Sequence, residues 1–577
     1  MIRPIVRRSA DKVLPPNASL PPLLAAIYSN RGLNDPQELE LSFSALLPPD
    51  QLLHVDDAAC FLADYLIDDK RLLIVGDFDA DGATSCALGV LALRAMGSTK
   101  VDYLVPNRFE YGYGLTPEIV ALAAQSAPDL IITVDNGISS IEGVIAAQRA
   151  GIATLVTDHH LPGEELPDAS IIVNPNQPGC HFPSKNLAGV GVIFYVMLAL
   201  RAELRRRNWF SQCGLDVPNM ADYLDLVALG TVADVVPLDH NNRVLVDNGL
   251  KRMRSGHLRV GIQALLEVAK RDYRSLVAAD LGFAVGPRLN AAGRLDDMSL
   301  GIECLLAKNM AKAQPLANQL QQMNQDRRLI EQGMQEDAAA ILKTLNLGDN
   351  PPLALTLYQD NWHQGVIGIL ASRIKDQLHR PVIAFAEGEQ GQIKGSARSV
   401  KGLHIRDILD CVATRNPGLI LRFGGHAMAA GLVLERDKYD DFSSAFANEV
   451  KRHARDVNLQ AVLESDGELA SGDISLPMAE LLRFAGPWGQ HFPEPMFDGI
   501  FELVNQRLVG ERHLKLVLRH PKDPQIFIDA IAFNIDPKIW PDTSLSQVEL
   551  AYRLDINEYR GQRSLQLIIE QIAPTSS

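Results

Sequence analysis

Unbroken apolar runs, rather than alternating ones, mark the first half of this chain. LLIV at 72–75, LIITV at 130–134, TLV at 154–156 and IIV at 171–173 are each bounded by charged or turn-forming residues. Stretches with helical periodicity fill the gaps, over 83–96, 116–125 and 139–150. Strands covered on both faces read as continuous Val/Ile/Leu runs. Their alternation with helices predicts βαβ units and a parallel sheet. From 187 to 345 the pattern is mostly helical, and 307–345 reads as one long helix able to act as a rigid connector. Strand-like PLALTLY and PVIAFA then flank a helix over 366–378.

After the GPWG turn at 486–489, five strand-like runs follow: FELVNQRLV, HLKLVLR, IFIDAIAFNI, VELAYRLDINEY and SLQLIIEQI. Five short strands with turn-rich gaps suit a small β-barrel of the OB-fold type. At 577 residues the chain is too long for one core. The expected division is a Pro- and Leu-rich arm at 1–50, a parallel-sheet catalytic domain at 51–240 and a helical connector at 241–348. A second α/β domain at 349–455 and the barrel at 456–577 complete it.

Composition adds limits. The longest uncharged apolar stretch, 187–200, is shorter than the roughly 18–20 residues a membrane span needs. The basic N-terminus lacks an apolar segment and cleavage site, so no secretory signal is expected. Six cysteines without CxxC spacing read as reduced, small core residues. A cytoplasmic protein, with no membrane partner, is the expectation. The net charge of −15 argues against a protein that simply coats nucleic acid. Local basic tracks exist at 201–207, 251–259 and 506–515, where a solvated helix face or turn is the plainer reading.

The chemistry concentrates at GDFDADGATS, which sets Asp77, Asp79 and Asp81 on alternate positions straight after an apolar run. Asp135 in TVDNG, the triplet Asp158-His159-His160 and Asp234 in GTVADVVP also end apolar runs. Open α/β sheets gather their strand ends at one edge, and acids gathered there repel unless cations hold them. A calcium loop of the EF-hand type would need a Glu where Leu88 stands. A phosphatase with an aspartyl nucleophile fits Asp79-Ala80-Asp81-Gly82 in part. Helix capping accounts for one aspartate and leaves two unexplained. Adjacent histidines after Asp158 tip the balance to a metal site, expected to hold two ions, with imidazole favouring Mn²⁺ and all-oxygen ligation favouring Mg²⁺.

The ordered motifs D-x-D-x-D-G, N-R, D-N-G, D-H-H and A-D-V resemble those of the DHH phosphoesterases. Matching stretches at 105–115, 133–140, 157–164, 229–238, 286–298, 361–375 and 422–432 extend the likeness to that family's bacterial single-strand exonucleases. The resemblance implies a DHH domain, a long connecting helix, a DHHA1 domain and an OB-fold. It implies two divalent ions, Mn²⁺ or Mg²⁺: one held by Asp77, Asp79 and Asp135, the other by Asp81, Asp135, His159 and Asp234. His160 would polarise the phosphoryl oxygen or assist the leaving 3′-oxygen.

Phe423-Gly424-Gly425-His426 has its own reading, since glycines admit a phosphate close to backbone amides. Ser396 and Arg398 offer a hydroxyl and a guanidinium suited to phosphate. By resemblance, Arg108, Ser396, Arg398 and one or both of Arg288 and Arg294 line a pocket for a 5′-terminal phosphate, although Arg288 could instead pair with Asp296. Phe109, Tyr111, Tyr113 and Trp362 are candidate stacking platforms for bases, or core. The implied activity is 5′→3′ digestion of single-stranded DNA to 5′-mononucleotides, in recombination and repair. The implied partners are single-strand binding protein and a helicase, with the enzyme itself a monomer. The alternatives are a phosphodiesterase of very short oligonucleotides or cyclic dinucleotides, and a non-catalytic DNA-binding scaffold.

Overall fold

The computed structural model describes residues 2–575 except 16–19, 108–113, 345–351, 390, 456, 458, 511, 537–538 and 543. Arg108, Phe109, Tyr111 and Tyr113 therefore lie outside the described residues. The chain forms two compact units. One comprises 1–104, 114–286 and 462–577; the other comprises 105–113 and 287–461.

The first unit carries a five-stranded parallel sheet. Its strands are Leu72–Gly76, Val101–Leu104, Leu130–Val134, Ala153–Thr157 and Ile171–Val173. Numbered along the chain, they lie in the spatial order 2-1-3-4-5. The first and third strands are neighbours although the second intervenes in sequence. Helices Ala80–Ala95, Pro117–Ala124 and Ile141–Arg149 supply the crossovers. The long apolar helix Gly189–Arg206 is buried along most of its length.

LVALGTVA, whose end was expected to be a strand end, is instead the helix Leu224–Ala233. An apolar run of that length fits a buried strand or a buried helix equally well. Here it is buried on nearly all sides beside helices Ala80–Ala95 and His240–Arg254.

The same unit holds a closed five-stranded barrel, Phe497–Val509, His513–His520, Asp523–Ala532, Gln547–Tyr559 and Gln562–Pro574. The N-terminal arm packs with it. Ile5–Arg7 pairs in parallel with Leu463–Ser465, and Leu24 and Ile27 join the barrel's core. The Arg31 guanidinium grips Asp466 at 2.9 and 3.0 Å with both side chains out of water. Such a bidentate pair fixes orientation as well as supplying energy.

The second unit is built on a mixed sheet of Leu355–Tyr358, Val382–Glu387, Gln392–Arg398, Arg422–Gly425 and Ala429–Glu435. Helix Ile367–Leu378 covers one face, and helices Ile405–Arg415 and Tyr439–His453 cover the other. The 35-residue helix Met310–Thr344 brings Met334 and Ala338 into the first of these layers. Trp362 is buried there and donates to Asp337 Oδ2, which removes it as a platform for bases.

Cys86, Cys180 and Cys304 are buried, as expected of small core residues, but Cys60 and Cys213 are exposed and Cys411 half-buried. All three basic tracks carry acidic partners: Arg207 with Asp64 and Glu203, Lys251 with Asp247, Arg252 with Asp222, and Lys515 with Asp529. No described helix is long and apolar enough to cross a membrane.

Candidate active site

Strand order places the acidic residues. In a sheet of order 2-1-3-4-5, the crevice opens beyond the carboxyl ends of strands 1 and 3, where successive connections depart to opposite faces. Those strands end at Gly76 and Val134, so Asp77 and Asp135 are the first residues past the edge. Asn136 ties the two ends together by donating to Val75 O at 3.2 Å and Val134 O at 2.9 Å. Asp135 itself takes a left-handed backbone, φ 62°, a conformation that costs energy for most side chains and collects at functional sites.

Asp79 is the N-cap of helix Ala80–Ala95, accepting from the amides of Asp81 and Gly82 at 2.9 and 3.0 Å. The capping reading therefore holds for Asp79, while the same side chain also faces Asp77 and Asp135. Asp81 lies within that helix's first turn. Its two oxygens accept from Gly189 N at 2.6 Å and Val190 N at 3.0 Å, at the start of helix Gly189–Arg206. Asp234 caps the C-terminus of helix Leu224–Ala233, the negative end of that helix.

The side chains fall into overlapping groups with ligand atoms within 4.8 Å: Asp77, Asp79 and Asp135; Asp81, His159 and Asp234; and Asp135, His159 and His160. His159 Nε2 stands 3.1 Å from Asp135 Oδ1 and 3.5 Å from Asp234 Oδ2. All three of these buried atoms lack a hydrogen-bond partner. Buried polar atoms seldom go unsatisfied, and a divalent cation between them would engage all three. The donor set, carboxylates with one imidazole, fits Mn²⁺ or Mg²⁺ rather than a thiolate-bound metal.

Electrostatics agree with that fit. Burial and the neighbouring Asp234 push the Asp81 carboxyl up to about 7, against a pull from His159. Burial and Asp79 push Asp234 to about 7 as well, offset in part by His160. Burial, Asp81, Asp79 and Asp234 raise Asp135 well above the carboxylate range. Burial and His160 lower His159, leaving it a neutral imidazole able to ligate. Without cations these acids hold protons.

Several contributors were given no role from the sequence. Asp158 belongs to none of the ligand groups; it organises the turn. Its carboxylate accepts from the amides of His159, His160 and Ile138 and from His160 Nδ1 at 2.7 Å. Burial opposes its ionisation, but the hydrogen bond and charge of His160, with His159 and the Ile138 amide, hold it at about 2. Burial likewise disfavours the imidazolium of His160, yet Asp158, Asp234 and Asp77 push it to about 9. Asn174 and Asn176 donate to the carbonyls of His160 and His159. The NPN run after the fifth strand was the available signal.

Gly189 and Gly230 are the other omissions. A Cβ on Gly189 would meet Asp135 Cβ at 2.6 Å. One on Gly230 would meet Thr84 Oγ1 at 2.3 Å and Asp81 Oδ1 at 2.7 Å. Helix backbones can close on the acids only because those side chains are missing.

The other expected site residues lie in the second unit. Ser396 and Arg398 share a sheet face, and Arg398 Nη1 donates to Ser396 Oγ at 3.1 Å and Ala397 O at 2.8 Å. Gly368, in the first turn of helix Ile367–Leu378, adjoins both side chains. Arg294 Nη1 donates to Gly365 O at 3.3 Å, just before that helix. Arg288 is buried on helix Gly286–Leu295. Across the sheet, Ser396 pairs with Gly431 and Gly431 with Gly424, so a side-chain-free strip runs beside Ser396. Gly425 and His426 follow at the hairpin, where His426 N donates to Ala429 O at 2.8 Å.

Family models match three segments: the DHH family N-terminal domain at 71–231, the DHHA1 domain at 350–452 and the RecJ OB domain at 465–571. The single-stranded-DNA-specific exonuclease RecJ of Dickeya dadantii is 58% identical over 98% of both chains. That of Escherichia coli is 55% identical, again over 98% of both. The chain belongs to the RecJ family. A crystal structure of RecJ in complex with Mn²⁺ from Thermus thermophilus aligns over all of this chain and 80% of that one, with TM-score 0.78 and 29% identity. A parallel-sheet DHH domain, a DHHA1 domain and a closed OB barrel are thus the RecJ architecture here.

Proposed function

We propose that this chain is a metal-dependent 5′→3′ exonuclease on single-stranded DNA, releasing 5′-mononucleotides with two Mn²⁺ or Mg²⁺ ions. The observation that carries the reading is the convergence of Asp135 Oδ1, His159 Nε2 and Asp234 Oδ2 as buried atoms without hydrogen-bond partners, flanked by Asp77, Asp79 and Asp81. Asp135 belongs to two of the ligand groups, one with Asp77 and Asp79 and one with His159 and His160, and would be shared between the two ions. Ions held there would supply a water-derived hydroxide at neutral pH and neutralise charge on the scissile phosphate.

The chain's own residues do the rest. Asp158 fixes the His160 ring through Nδ1, and His160, held at about 9, keeps a proton for the phosphoryl or leaving 3′-oxygen. Ser396, Arg398 and Arg294, gathered about the start of one helix beside the Gly424–Gly431 strip, take the terminal 5′-phosphate, with Arg108, Arg288, Gly425 and His426 assigned to the same task. Recognition of that phosphate sets the polarity. The enzyme is assigned to recombination and repair in the cytoplasm, as a monomer working with single-strand binding protein and a helicase, on family grounds.

End-labelled single strands test the reading. A 5′ label should appear first as mononucleotide, with Mn²⁺ or Mg²⁺ and not with chelator. Release from the 3′ end first would refute the polarity. A length series separates the alternative, which prefers the shortest oligonucleotides.

A further inference from the structure

Outside the acidic centre, the described residues gather one more set of metal-ligating side chains. Cys411 lies on helix Ile405–Arg415, and Glu449 and His453 lie one turn apart on helix Tyr439–His453. One donor atom from each stands within 4.8 Å of the other two. We propose that Cys411, Glu449 and His453 form a Zn²⁺ site in the second unit, separate from the residues assigned to phosphodiester hydrolysis.

The i, i+4 spacing puts Glu449 and His453 on one face of their helix, with His453 Nε2 at 3.2 Å from Glu449 Oε1. The other oxygen, Oε2, receives Arg452 at 3.0 Å and Arg415 at 3.7 Å. The two guanidiniums thus occupy one side of a buried carboxylate and leave Oε1 to the imidazole and the thiol.

That arrangement selects the metal. Two positive charges offset the attraction of one carboxylate for a hard cation, so Mg²⁺ and Mn²⁺, which have little affinity for thiolate, gain little here. An ion that bonds strongly to thiolate and imidazole overcomes the offset, and cysteine with histidine is a zinc donor set. On binding, the Cys411 thiol loses its proton to solvent as the metal–sulfur bond forms. A neutral His453 and one Glu449 oxygen complete three protein ligands, and water takes the fourth position. Bonds of roughly 2.0–2.3 Å put tetrahedral donors roughly 3.5 Å apart. The closure needed is small, and His453, with 36% of its side chain exposed, has room to swing.

The bound ion would staple two helices that cover the same sheet face. One of them is tied at its start to the glycine hairpin, through Ile405 N to Ala427 O at 2.8 Å.

Co²⁺ is the probe, added to the full chain. Thiolate-bound Co²⁺ gives a charge-transfer band in the near ultraviolet, and the acidic centre, having no cysteine, contributes none. The band should appear in the wild type and in Asp135→Ala, and Zn²⁺ should bleach it. It should vanish in Cys411→Ser, and His453→Gln should weaken Co²⁺ binding about tenfold or more. No band in the folded wild type, or a band that survives Cys411→Ser, overturns the proposal. If Cys411→Ser does not fold, the His453→Gln variant decides: an unchanged band and affinity there overturn it equally.

Discussion

At the acidic centre, buried carboxylates crowd together until Asp81 and Asp234 titrate near 7, and atoms of Asp135, His159 and Asp234 stay without partners. Around Arg398 the balance differs. The Arg398 guanidinium is half-buried, its charged form disfavoured by that burial, and it spends one nitrogen on Ser396 Oγ and Ala397 O. The first region is incomplete without an added cation; the second is satisfied by its own neighbours. Metal removal should therefore disable one and leave the other standing.

The largest expected effect comes from Asp135→Asn. Loss of a carboxylate shared by two of the ligand groups should cut single-turnover digestion by about a thousand-fold or more, comparable to removing a main electrostatic stabiliser. DNA binding, measured by anisotropy with Ca²⁺ present, should persist. Near-normal digestion by this variant would end the two-ion reading.

Arg398→Ala should come next. A charge-assisted contact of about 1.5–3 kcal/mol corresponds to a loss of roughly ten- to a hundred-fold in kcat/KM on 5′-phosphorylated strands. Strands with a 5′-hydroxyl should lose less, and equal losses on both would detach Arg398 from the terminal phosphate.

Gly230→Ala tests whether close helix approach builds the centre. Overpacking against Thr84 and Asp81 should cost about 1–3 kcal/mol in stability and weaken Mn²⁺ binding, with far less change in the Arg398 region. Unchanged Tm and Mn²⁺ affinity would show that the gap closes without harm.

The smallest effect concerns pH. Asp81 and Asp234 sit near 7 when folded, against an ordinary value of 3.8. Their contribution to the metal-free fold is complete below 3.8 and is lost as pH rises toward 7, because the unfolded chain sheds these protons first. Cations compete with the same protons. The Tm gain from Mn²⁺ should grow between pH 5 and pH 8, and a gain that is flat across that range would contradict proton–metal competition.

Much of this architecture was legible in the chain. Unbroken apolar runs disclosed the parallel strands, and five turn-separated runs disclosed the barrel. GDFDADG and Asp158-His159-His160 disclosed the acids. Other features were not legible, for definable reasons. The apolar run before Asp234 reads equally as strand or helix, and only its packing against two helices settles it. Asp158 stands beside the ligand His159 with no role of its own in the sequence, and it serves as an anchor, because its oxygens are spent on its own turn. Trp362 reads equally as base platform or core, and its burial makes it core.

Residue type and local pattern depend on neighbours in sequence, so the chain alone disclosed the sheet and barrel strands and which side chains carry charge, though not the state of the run before Asp234. Strand order, helix approach and the partners of each buried atom depend on residues far apart along the chain. Hence only the tertiary structure set the first and third strands side by side, brought Gly189 and Gly230 against the acids, and joined Cys411 to Glu449 and His453.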